Sequence, residues 1–290
     1  MTLIVKNLCK QYGNGVIALD DVNLSISTGM FGLLGPNGAG KSSLMRTLAT
    51  LQDADSGSAF LDEIDILKDK MAIRKILGYL PQEFGVYPRS TAEDLLDYLA
   101  MLKGCTQASS RKEMVHFLLQ KVNLYDHRKK HVSSFSGGMR QRFGIAQCLI
   151  GKPELIIVDE PTAGLDPGER NRFYNILSEI SENIIVILST HIVQDVRELC
   201  TNMAIMDKGK VLFAGKTDDA LHLLRNKVWE IQVEKKNLHD FQQKYRVISS
   251  KLVGGVPLLH VFAETLPSPE FIPAEENLED VFFARINHLI

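Results

Sequence analysis

The chain has 290 residues, of which 45% are hydrophobic and 23% are charged, and its formal net charge is −2. This length allows one or two domains of roughly 100–200 residues each, and the composition is that of an ordinary soluble globular protein. The near-neutral charge excludes a global basic field that would attract nucleic acid or anionic lipid.

Cysteine usage and hydropathy exclude further classes of protein. The four cysteines, Cys9, Cys105, Cys148 and Cys200, form no C-x-x-C pair, so the sequence predicts neither a zinc site nor a disulfide framework. The most apolar stretch, at 184–188, is far shorter than the ~20 residues that a membrane span needs. We expect no signal peptide. If the protein works at a membrane, another polypeptide must supply the membrane part.

The first predicted elements are short strands at 3–5 and 22–26, separated by a glycine-marked turn at 13–15. Residues 30–34 form a continuous apolar run, which is typical of a strand buried on both faces in a parallel sheet. This strand leads into a glycine-rich loop, and residues 44–48 continue as a helix.

Three further apolar runs, at 76–80, 155–158 and 184–188, also predict buried strands. Because these strands alternate with helical patterns, we expect an α/β fold around a parallel sheet. From residue 91 to about 150 the apolar side chains recur at helical spacing, which predicts an inserted helical subdomain at about 84–152. The residues with this spacing are Leu95, Leu96, Leu99, Met114, Phe117 and Leu118.

The pattern changes again after Gly215. We predict strands at 228–233 and 256–262 with a helix at 238–245 between them, and Pro257 places the second strand at a sheet edge.

The chain ends in a predicted amphipathic helix, which Asn277 and Asp280 begin as a variant of the capping box. Its apolar side carries Leu278, Val281, Phe282, Ile286 and Leu289. We predict one domain at 1–220 and a small α+β domain at 221–290.

A phosphate-binding loop follows the buried strand at 30–34. It consists of Gly35, Pro36, Asn37, Gly38, Ala39, Gly40, Lys41, Ser42 and Ser43, and it fits G-x-x-x-x-G-K-[ST] in full. Glycines let the backbone curl until its N–H groups point at phosphate oxygens, and the next helix adds its positive end. Lys41 supplies a cation to the β- and γ-phosphates, and the Ser42 hydroxyl can ligate Mg²⁺. The alternative is a glycine-rich turn with a chance lysine, which the flanking strand and helix disfavour.

Two adjacent carboxylates follow the apolar strand at 155–158. Asp159 is expected to hold Mg²⁺, and Glu160 to orient and deprotonate the attacking water. On its own, this pair would also fit an ordinary boundary between a strand and a turn. Its presence in one chain with a phosphate-binding loop favours the catalytic interpretation.

A third motif points to a family. Ser136, Gly137 and Gly138 precede a predicted helix, where hydroxyl and N–H groups form a second anion-binding cup. This segment, 134–142, resembles the signature motif of ATP-binding cassette (ABC) ATPases, in which the cup closes on ATP held by the other subunit. The resemblance covers nearly all of 1–215. Its markers occur in the family order: Tyr12, the phosphate-binding loop, Gln82, the signature, Asp159-Glu160, Gly164-Leu165-Asp166 and His191.

The resemblance implies a P-loop NTPase fold of the ABC ATPase type. Such a core has a parallel sheet flanked by helices, an N-terminal antiparallel β subdomain and an inserted helical subdomain. Here the small C-terminal α+β domain follows it.

The resemblance also implies roles for single residues. Tyr12 resembles the aromatic residue that stacks on adenine, although a strand-edge tyrosine is the alternative. Gln82 is similar to the glutamine that reaches the Mg²⁺ and water site. Asp166 is similar to the aspartate that communicates across the dimer. His191 resembles the histidine near the γ-phosphate, and we interpret the other histidines as surface or packing residues.

The signature departs from the family pattern at Phe135 and Met139, where Leu and Gln are more frequent. Both lie beside Ser136 and Gly138, through which we expect contact with ATP to survive. We expect these two substitutions to affect only the detailed contacts between the two subunits of the dimer.

The resemblance implies two partners for the chain. Catalysis needs charge around the γ-phosphate from several directions, so we expect two copies to close on two MgATP. Closure would drive a separate membrane permease, and Phe84 and Tyr87 either contact it or pack within the helical subdomain. The segment 277–283 resembles the tail of ATPases that serve ABC-2-type exporters, which implies export from the cytoplasmic face of a bacterial membrane. Alternatively, this tail is a terminal helix that packs on its own domain.

Two other functions stay open. Soluble ABC ATPases that act on nucleic acid or ribosomes carry coiled-coil insertions or two cassettes in one chain. This sequence has one cassette, no sustained heptads and no basic tract, so we expect no nucleic-acid partner. A nucleotide-binding regulator without turnover is disfavoured because Glu160 and His191 are both present.

Overall fold

The computed structural model describes residues 1–82, 85 and 89–290, so the predicted permease contacts Phe84 and Tyr87 lie outside the described residues. The strands are, in chain order, β1 (Thr2–Gln11), β2 (Ile17–Ser27), β3 (Gly29–Leu34), β4 (Ser56–Leu61), β5 (Ile64–Asp65), β6 (Leu77–Leu80), β7 (Leu155–Asp159), β8 (Ile185–Thr190), β9 (Asn202–Asp207), β10 (Lys210–Lys216), β11 (Val228–Gln232), β12 (Val247–Val253), β13 (Val256–Phe262) and β14 (Ile272–Pro273). The helices are α1 (Lys41–Leu48), α2 (Lys70–Ile76), α3 (Ala92–Leu102), α4 (Ala108–Lys121), α5 (Gly137–Cys148), α6 (Pro167–Ile180), α7 (Val193–Leu199), α8 (Thr217–His222), α9 (Leu238–Lys244) and α10 (Leu278–Ile286).

The N-terminal sheet is antiparallel, in the order β2-β1-β4-β5. The two predicted strands become β1 and β2, which pair as a hairpin, and each is longer than its apolar run. The turn closes where the Tyr12 N–H donates to the Val16 carbonyl and the Gly15 N–H donates to the Tyr12 carbonyl. This sheet covers one side of the protein's main sheet.

The main sheet has the order β10-β9-β3-β8-β7-β6. Pairings from β9 to β6 are parallel, and β10 joins β9 antiparallel. The four predicted runs form β3, β8, β7 and the edge strand β6, with two corrections to their bounds. Ile76 ends α2 rather than beginning a strand, and Ile184 precedes β8. The parallel pairing brings the carboxyl ends of β3, β7 and β8 to one edge.

The main sheet is buried on both faces. Leu33, Ile157 and Ile187 face a core shared with the N-terminal sheet. Leu34 and Leu188, one residue away along their strands, face a second core that is shared with the helical region. This two-residue alternation explains why each strand is apolar throughout.

The helical region contains α3, α4 and α5. Thr91 caps α3 by accepting a hydrogen bond from the Asp94 N–H at 3.2 Å. Leu95, Leu96 and Leu118 are buried, as their spacing predicts, but Phe117 is 59% exposed. The reason is rotational: α4 buries Val115, Leu118 and Leu119, and Phe117 lies on the opposite side of that helix.

The C-terminal sheet is antiparallel, in the order β12-β13-β11-β14. The prediction that Pro257 marks an edge strand is wrong, because β13 lies between two neighbours. Val253 and Val256 close a two-residue turn, so the next pair, Leu252 and Pro257, does not exchange hydrogen bonds across β12. On the other side, the Pro257 carbonyl accepts from the Val233 N–H at 2.9 Å, just past the end of β11.

The terminal helix α10 begins as predicted, with the Asp280 N–H donating to Asn277 Oδ1 at 2.9 Å. Leu278, Val281 and Phe282 are buried in the same continuous core as the helical region. The helix contacts α7 and α8 as well as β12, so it does not pack only on its own sheet. It ends at Ile286. The domain boundary near residue 220 stays a prediction. Within the described residues, no helix combines the length and apolar character of a membrane span.

A buried ion pair joins this helix to the C-terminal sheet. His260 on β13 is 6% exposed, and its Nδ1 lies 2.9 Å from Oδ1 of Asp280, which is 2% exposed. The hydrogen bond to Asp280 raises the pKa of His260 against the opposing effect of burial, and the charges of Asp280 and Glu230 add to the rise while Lys251 opposes it. His260 is therefore an ionic link between two elements rather than a simple packing residue.

The raised pKa of His260 predicts how stability depends on pH. Its stabilising contribution is complete below the unfolded pKa of about 6.5 and is lost as pH rises through the folded value. We expect His260→Gln to lower the free energy of unfolding at pH 6 by about 3 kcal/mol and to flatten this pH dependence. Urea unfolding can be followed through Trp229, the single tryptophan, whose Nε1 donates to the Ala263 carbonyl at 3.0 Å.

The matched control is His239→Gln, since His239 is an exposed histidine on α9 of the same region. It should leave both stability and its pH dependence unchanged. A His260→Gln protein with the pH dependence of the wild type would contradict the ionic link.

Candidate functional site

A cleft of about 510 Å³ lies at the carboxyl edge of the main sheet. It contains the phosphate-binding loop, the turn between β1 and β2, and the loops that follow β7 and β8. Its lining residues are Tyr12, Val16, Ala18, Asn37, Gly38, Ala39, Gly40, Lys41, Ser42, Ser43, Gln82, Glu160, Ala163 and His191. The cleft thus gathers most of the residues that the sequence predicts for one nucleotide.

The phosphate-binding loop connects β3 to α1 in a conformation that needs glycine. Gly38 and Gly40 have φ angles of 82° and 103°, which side chains rarely adopt. A Cβ on Gly40 would also come within 2.3 Å of the Ala18 carbonyl oxygen. No side chain of the described residues caps α1, so the N–H groups of its first turn are free to bind an anion from the cleft.

Lys41 is the buried cation of the cleft, at 5% exposure. Its Nζ donates to the carbonyls of Gly35 at 2.7 Å and Pro36 at 3.2 Å, and it lies 3.6 Å from Oε1 of Glu160. Burial lowers the pKa of Lys41, while the charges of Glu160 and Asp159 raise it. The ammonium group is thus held at the loop by oxygen atoms that a phosphate can replace.

Glu160 and His191 form the opposite wall. Glu160 has a φ angle of 47°, an uncommon conformation for a residue with a side chain, and its N–H donates to the Ser189 carbonyl at 3.0 Å. His191 follows β8, and its Nδ1 lies 3.1 Å from Oε2 of Glu160. Parallel pairing of β7 with β8 is what places a carboxylate and an imidazole side by side.

The residues predicted for Mg²⁺ are oxygen donors, as that ion requires. Ser42 and Gln82 line the cleft. Asp159 lies behind it at 4% exposure, where it accepts a hydrogen bond from Ser189 Oγ at 2.7 Å. Among the described residues, no cluster of three or more His, Cys, Asp or Glu could hold a metal. The hydroxyl, amide and carboxylate oxygens of Ser42, Gln82 and Asp159 are donors of the kind that Mg²⁺ prefers.

Tyr12 stands at the mouth of the cleft and is 37% exposed. Its Oη lies 2.9 Å from Ser43 Oγ and donates to Gln52 Oε1 at 3.1 Å. These bonds fix the ring beside the phosphate-binding loop, where it offers a flat apolar surface. The position suits stacking on adenine.

The signature residues lie elsewhere. Ser136 is exposed and caps α5 by accepting from the Met139 N–H at 3.2 Å. Gly138 packs so closely that a Cβ there would lie 2.3 Å from Oε2 of Glu169. Of the described residues that line the cleft, none belongs to 136–138.

The loop aspartate Asp166 is also exposed, and it caps α6 by accepting from the Glu169 N–H at 2.9 Å. Glu169 in turn pairs with Arg142 of α5. The helix that follows the aspartate loop and the signature helix are therefore joined by a largely buried ion pair.

The departure at Phe135 has a structural explanation. Phe135 is 3% exposed and meets Phe143 edge to face, with ring centroids 6.1 Å apart. It anchors the start of α5 in the core, so it does not form part of an outer surface.

Sequence reasoning missed several lining residues. Val16, Ala18 and Ala163 line the cleft, and Ser189 supports Asp159. Val16 and Ala18 are common residue types outside the motifs, and Ala163 lies between two motifs that give it no role. Strand pairing places Ser189 beside Asp159.

The comparisons with known proteins agree with this geometry. A family model described as ABC transporter matches residues 19–163. The chain belongs to the ABC transporter family. It is an ATP-binding subunit of that family and an ATPase, and the predicted ABC fold is confirmed.

Two relatives from Bacillus subtilis illustrate the similarity. The chain is 30% identical to the uncharacterized ABC transporter ATP-binding protein YxlF, over 97% of this chain and 98% of that protein. It is 36% identical to the linearmycin resistance ATP-binding protein LnrL, over 74% of this chain and 70% of that protein.

A solved structure of a dimeric ATP-binding cassette in a post-hydrolysis state, bound to ADP and phosphate, has a similar fold. Its TM-score is 0.67 at 26% identity, over 74% of this chain and 98% of that one.

Proposed function

We propose that two copies of this chain close on two MgATP, and that hydrolysis drives export through an ABC-2-type permease at the cytoplasmic face of a bacterial membrane. The observation that carries the dimer is the division of the predicted site. Lys41, Glu160 and His191 share one cleft, whereas Ser136 is exposed outside that cleft, at the start of α5. A second copy would bring its signature cup to the open side of the cleft.

Each side chain has a defined task in this arrangement. Lys41 exchanges its loop carbonyls for phosphate oxygens and neutralises charge on the γ-phosphate. Glu160 orients the attacking water and accepts its proton, and His191, 3.1 Å away, holds that carboxylate in place. Mg²⁺, held by Ser42, Gln82 and Asp159, would neutralise further phosphate charge.

The cup of the second copy supplies charge from the other direction. Its Ser136 hydroxyl and the N–H groups at the start of α5 would meet the γ-phosphate, and Asp166 beside it would contact the partner. Neither the cleft of one copy nor the signature cup of the other surrounds the phosphate alone. Hydrolysis therefore depends on closure of the dimer.

The alternative of an ATPase acting on nucleic acid or ribosomes is not supported by the comparisons, which match transporter subunits. The relative LnrL is named for resistance to linearmycin, which agrees with efflux. We therefore propose export as the direction of transport. The cargo would be chosen by the permease.

Glu160→Gln tests the hydrolytic role. The amide keeps the shape of the side chain but cannot accept a proton from water. We expect the rate of ATP hydrolysis to fall by about a hundredfold or more, whereas ATP still binds. Size-exclusion chromatography should show a dimer that accumulates only with ATP.

Glu182→Gln provides the control, because Glu182 is an exposed carboxylate outside the cleft. It should hydrolyse ATP at the wild-type rate and form no trapped dimer. Hydrolysis by Glu160→Gln at the wild-type rate would remove Glu160 from the mechanism.

We propose a docking surface for the permease on three exposed apolar residues. Leu51, Met71 and Leu102 are 60%, 67% and 64% exposed, and exposed apolar side chains that lie together mark interaction sites. We call these three residues the junction patch. They follow α1, begin α2 and end α3.

Hydrogen bonds hold the elements of the junction patch together. Arg74 of α2 donates from Nε to Thr50 Oγ1 at 2.8 Å, next to Leu51. Lys103, next to Leu102, donates to the Leu77 carbonyl at 2.7 Å. The patch therefore bridges the ATPase core and the helical region, so a permease segment seated there would sense movement between them.

Met71→Glu tests this surface. A carboxylate in the patch must be desolvated when an apolar permease segment docks. We expect the tagged full-length variant, extracted from native membranes in mild detergent, to lose a co-purifying membrane protein with six spans that the wild type retains.

Leu252→Glu is the matched control, since Leu252 is 65% exposed on the distant β12. It should retain the permease, and both variants should keep wild-type ATP binding. Loss of the permease from Leu252→Glu alone would move the docking surface to the C-terminal sheet and contradict the proposal.

A further inference from the structure

A buried carboxylate lies behind the cleft and has no role in the mechanism above. Asp195 on α7 is 0% exposed. Its Oδ2 accepts hydrogen bonds from Thr162 Oγ1 at 2.6 Å and from Thr190 Oγ1 at 2.8 Å. Its Oδ1 accepts from the Tyr174 hydroxyl. Burying a carboxylate is costly unless such bonds replace its hydration, and here three hydroxyl groups do so.

The three hydroxyl groups come from three separate segments, two of which carry residues of the cleft. Thr162 lies two residues after Glu160, and Thr190 immediately precedes His191. Tyr174 is on α6, the helix that Asp166 caps. One carboxylate therefore joins the loop after β7, the end of β8 and the helix behind the aspartate loop.

The Thr190 hydroxyl extends the connection to the backbone around His191. It donates to Asp195 and accepts from the Ile192 N–H at 2.9 Å. The peptide unit that follows His191 is thereby oriented by a hydroxyl group that Asp195 itself orients. On the opposite side, Tyr174 remains a donor because burial and its hydrogen bond to Asp195 raise its pKa.

We propose that Asp195 is a positioning residue for ATP hydrolysis, which holds the segments of Glu160 and His191 in register so that their side chains stay 3.1 Å apart. The inference rests on the proposed function for its catalytic consequence. Asp195 touches neither nucleotide nor water, and it acts through Thr162 and Thr190. A shift of either segment would misplace the Glu160 carboxylate relative to the attacking water. Small misplacements of a catalytic group reduce reaction rates strongly.

The test uses substitutions at Thr162 in the full-length protein. Thr162→Val keeps the shape but removes the hydroxyl, whereas Thr162→Ser keeps the hydroxyl and removes a methyl group. We expect Thr162→Val to lower kcat for ATP hydrolysis by about tenfold with an unchanged KM. Thr162→Ser should restore most of the lost rate.

Thr217→Val controls for the loss of a partly buried threonine hydroxyl elsewhere. Thr217 Oγ1 donates to the Cys200 carbonyl at 2.8 Å, remote from the cleft. Its melting temperature should fall about as far as that of Thr162→Val, but its kcat should stay at the wild-type value. Equal kcat values for Thr162→Val and wild type, or equal losses in the Val and Ser variants, would overturn the proposal.

A second measurement does not depend on turnover. Hydrogen exchange should become faster in Thr162→Val, but not in Thr162→Ser, within a peptide that covers 189–195, on the far side of Asp195. Faster exchange confined to 160–166 would show that Thr162 acts only locally and would overturn the link. If the wild type failed to hydrolyse ATP, the proposed function would fail, and the exchange result would still decide whether Asp195 couples the two segments.

Discussion

A buried ammonium group is the constraint around which the cleft is built. Lys41 is 5% exposed, and its lost hydration is replaced by two loop carbonyls and by the charges of Glu160 and Asp159. Because little water screens it, this cation attracts phosphate strongly. The glycine conformations of the loop and the uncapped start of α1 direct N–H groups to the same phosphate site, and the left-handed backbone of Glu160 places a carboxylate beside the ammonium group.

The parallel sheet makes such a cluster possible and also made it predictable. Apolar runs identified β3, β7 and β8, and each run leads into a loop that carries a motif residue of the cleft. Since parallel strands present their carboxyl ends at one edge, Lys41, Glu160 and His191 could be placed together from the sequence alone. The N-cap of α10 was predictable for a similar reason, because Asn277 and Asp280 form a local contact.

Features that depend on distant pairing could not be predicted. Pro257 suggested an edge strand, but the hairpin register makes room for it inside the sheet. His260 and Asp195 are single polar residues without motifs, and only the fold brings their partners to them. Both bury charge where elements meet, one beneath α10 and one behind the cleft. The positions of secondary structure thus followed from local patterns, whereas the polar links between elements did not.

The central claim is that each site is shared between two copies. Lys41→Ala removes the cation from one half, and Ser136→Arg blocks the signature cup of the other. In a mixed dimer, one site carries both defects and the other carries neither. Mixing the two purified variants should therefore restore ATP hydrolysis that neither shows alone. A mixture as inactive as its components, under conditions where mixed dimers form, would contradict the shared site.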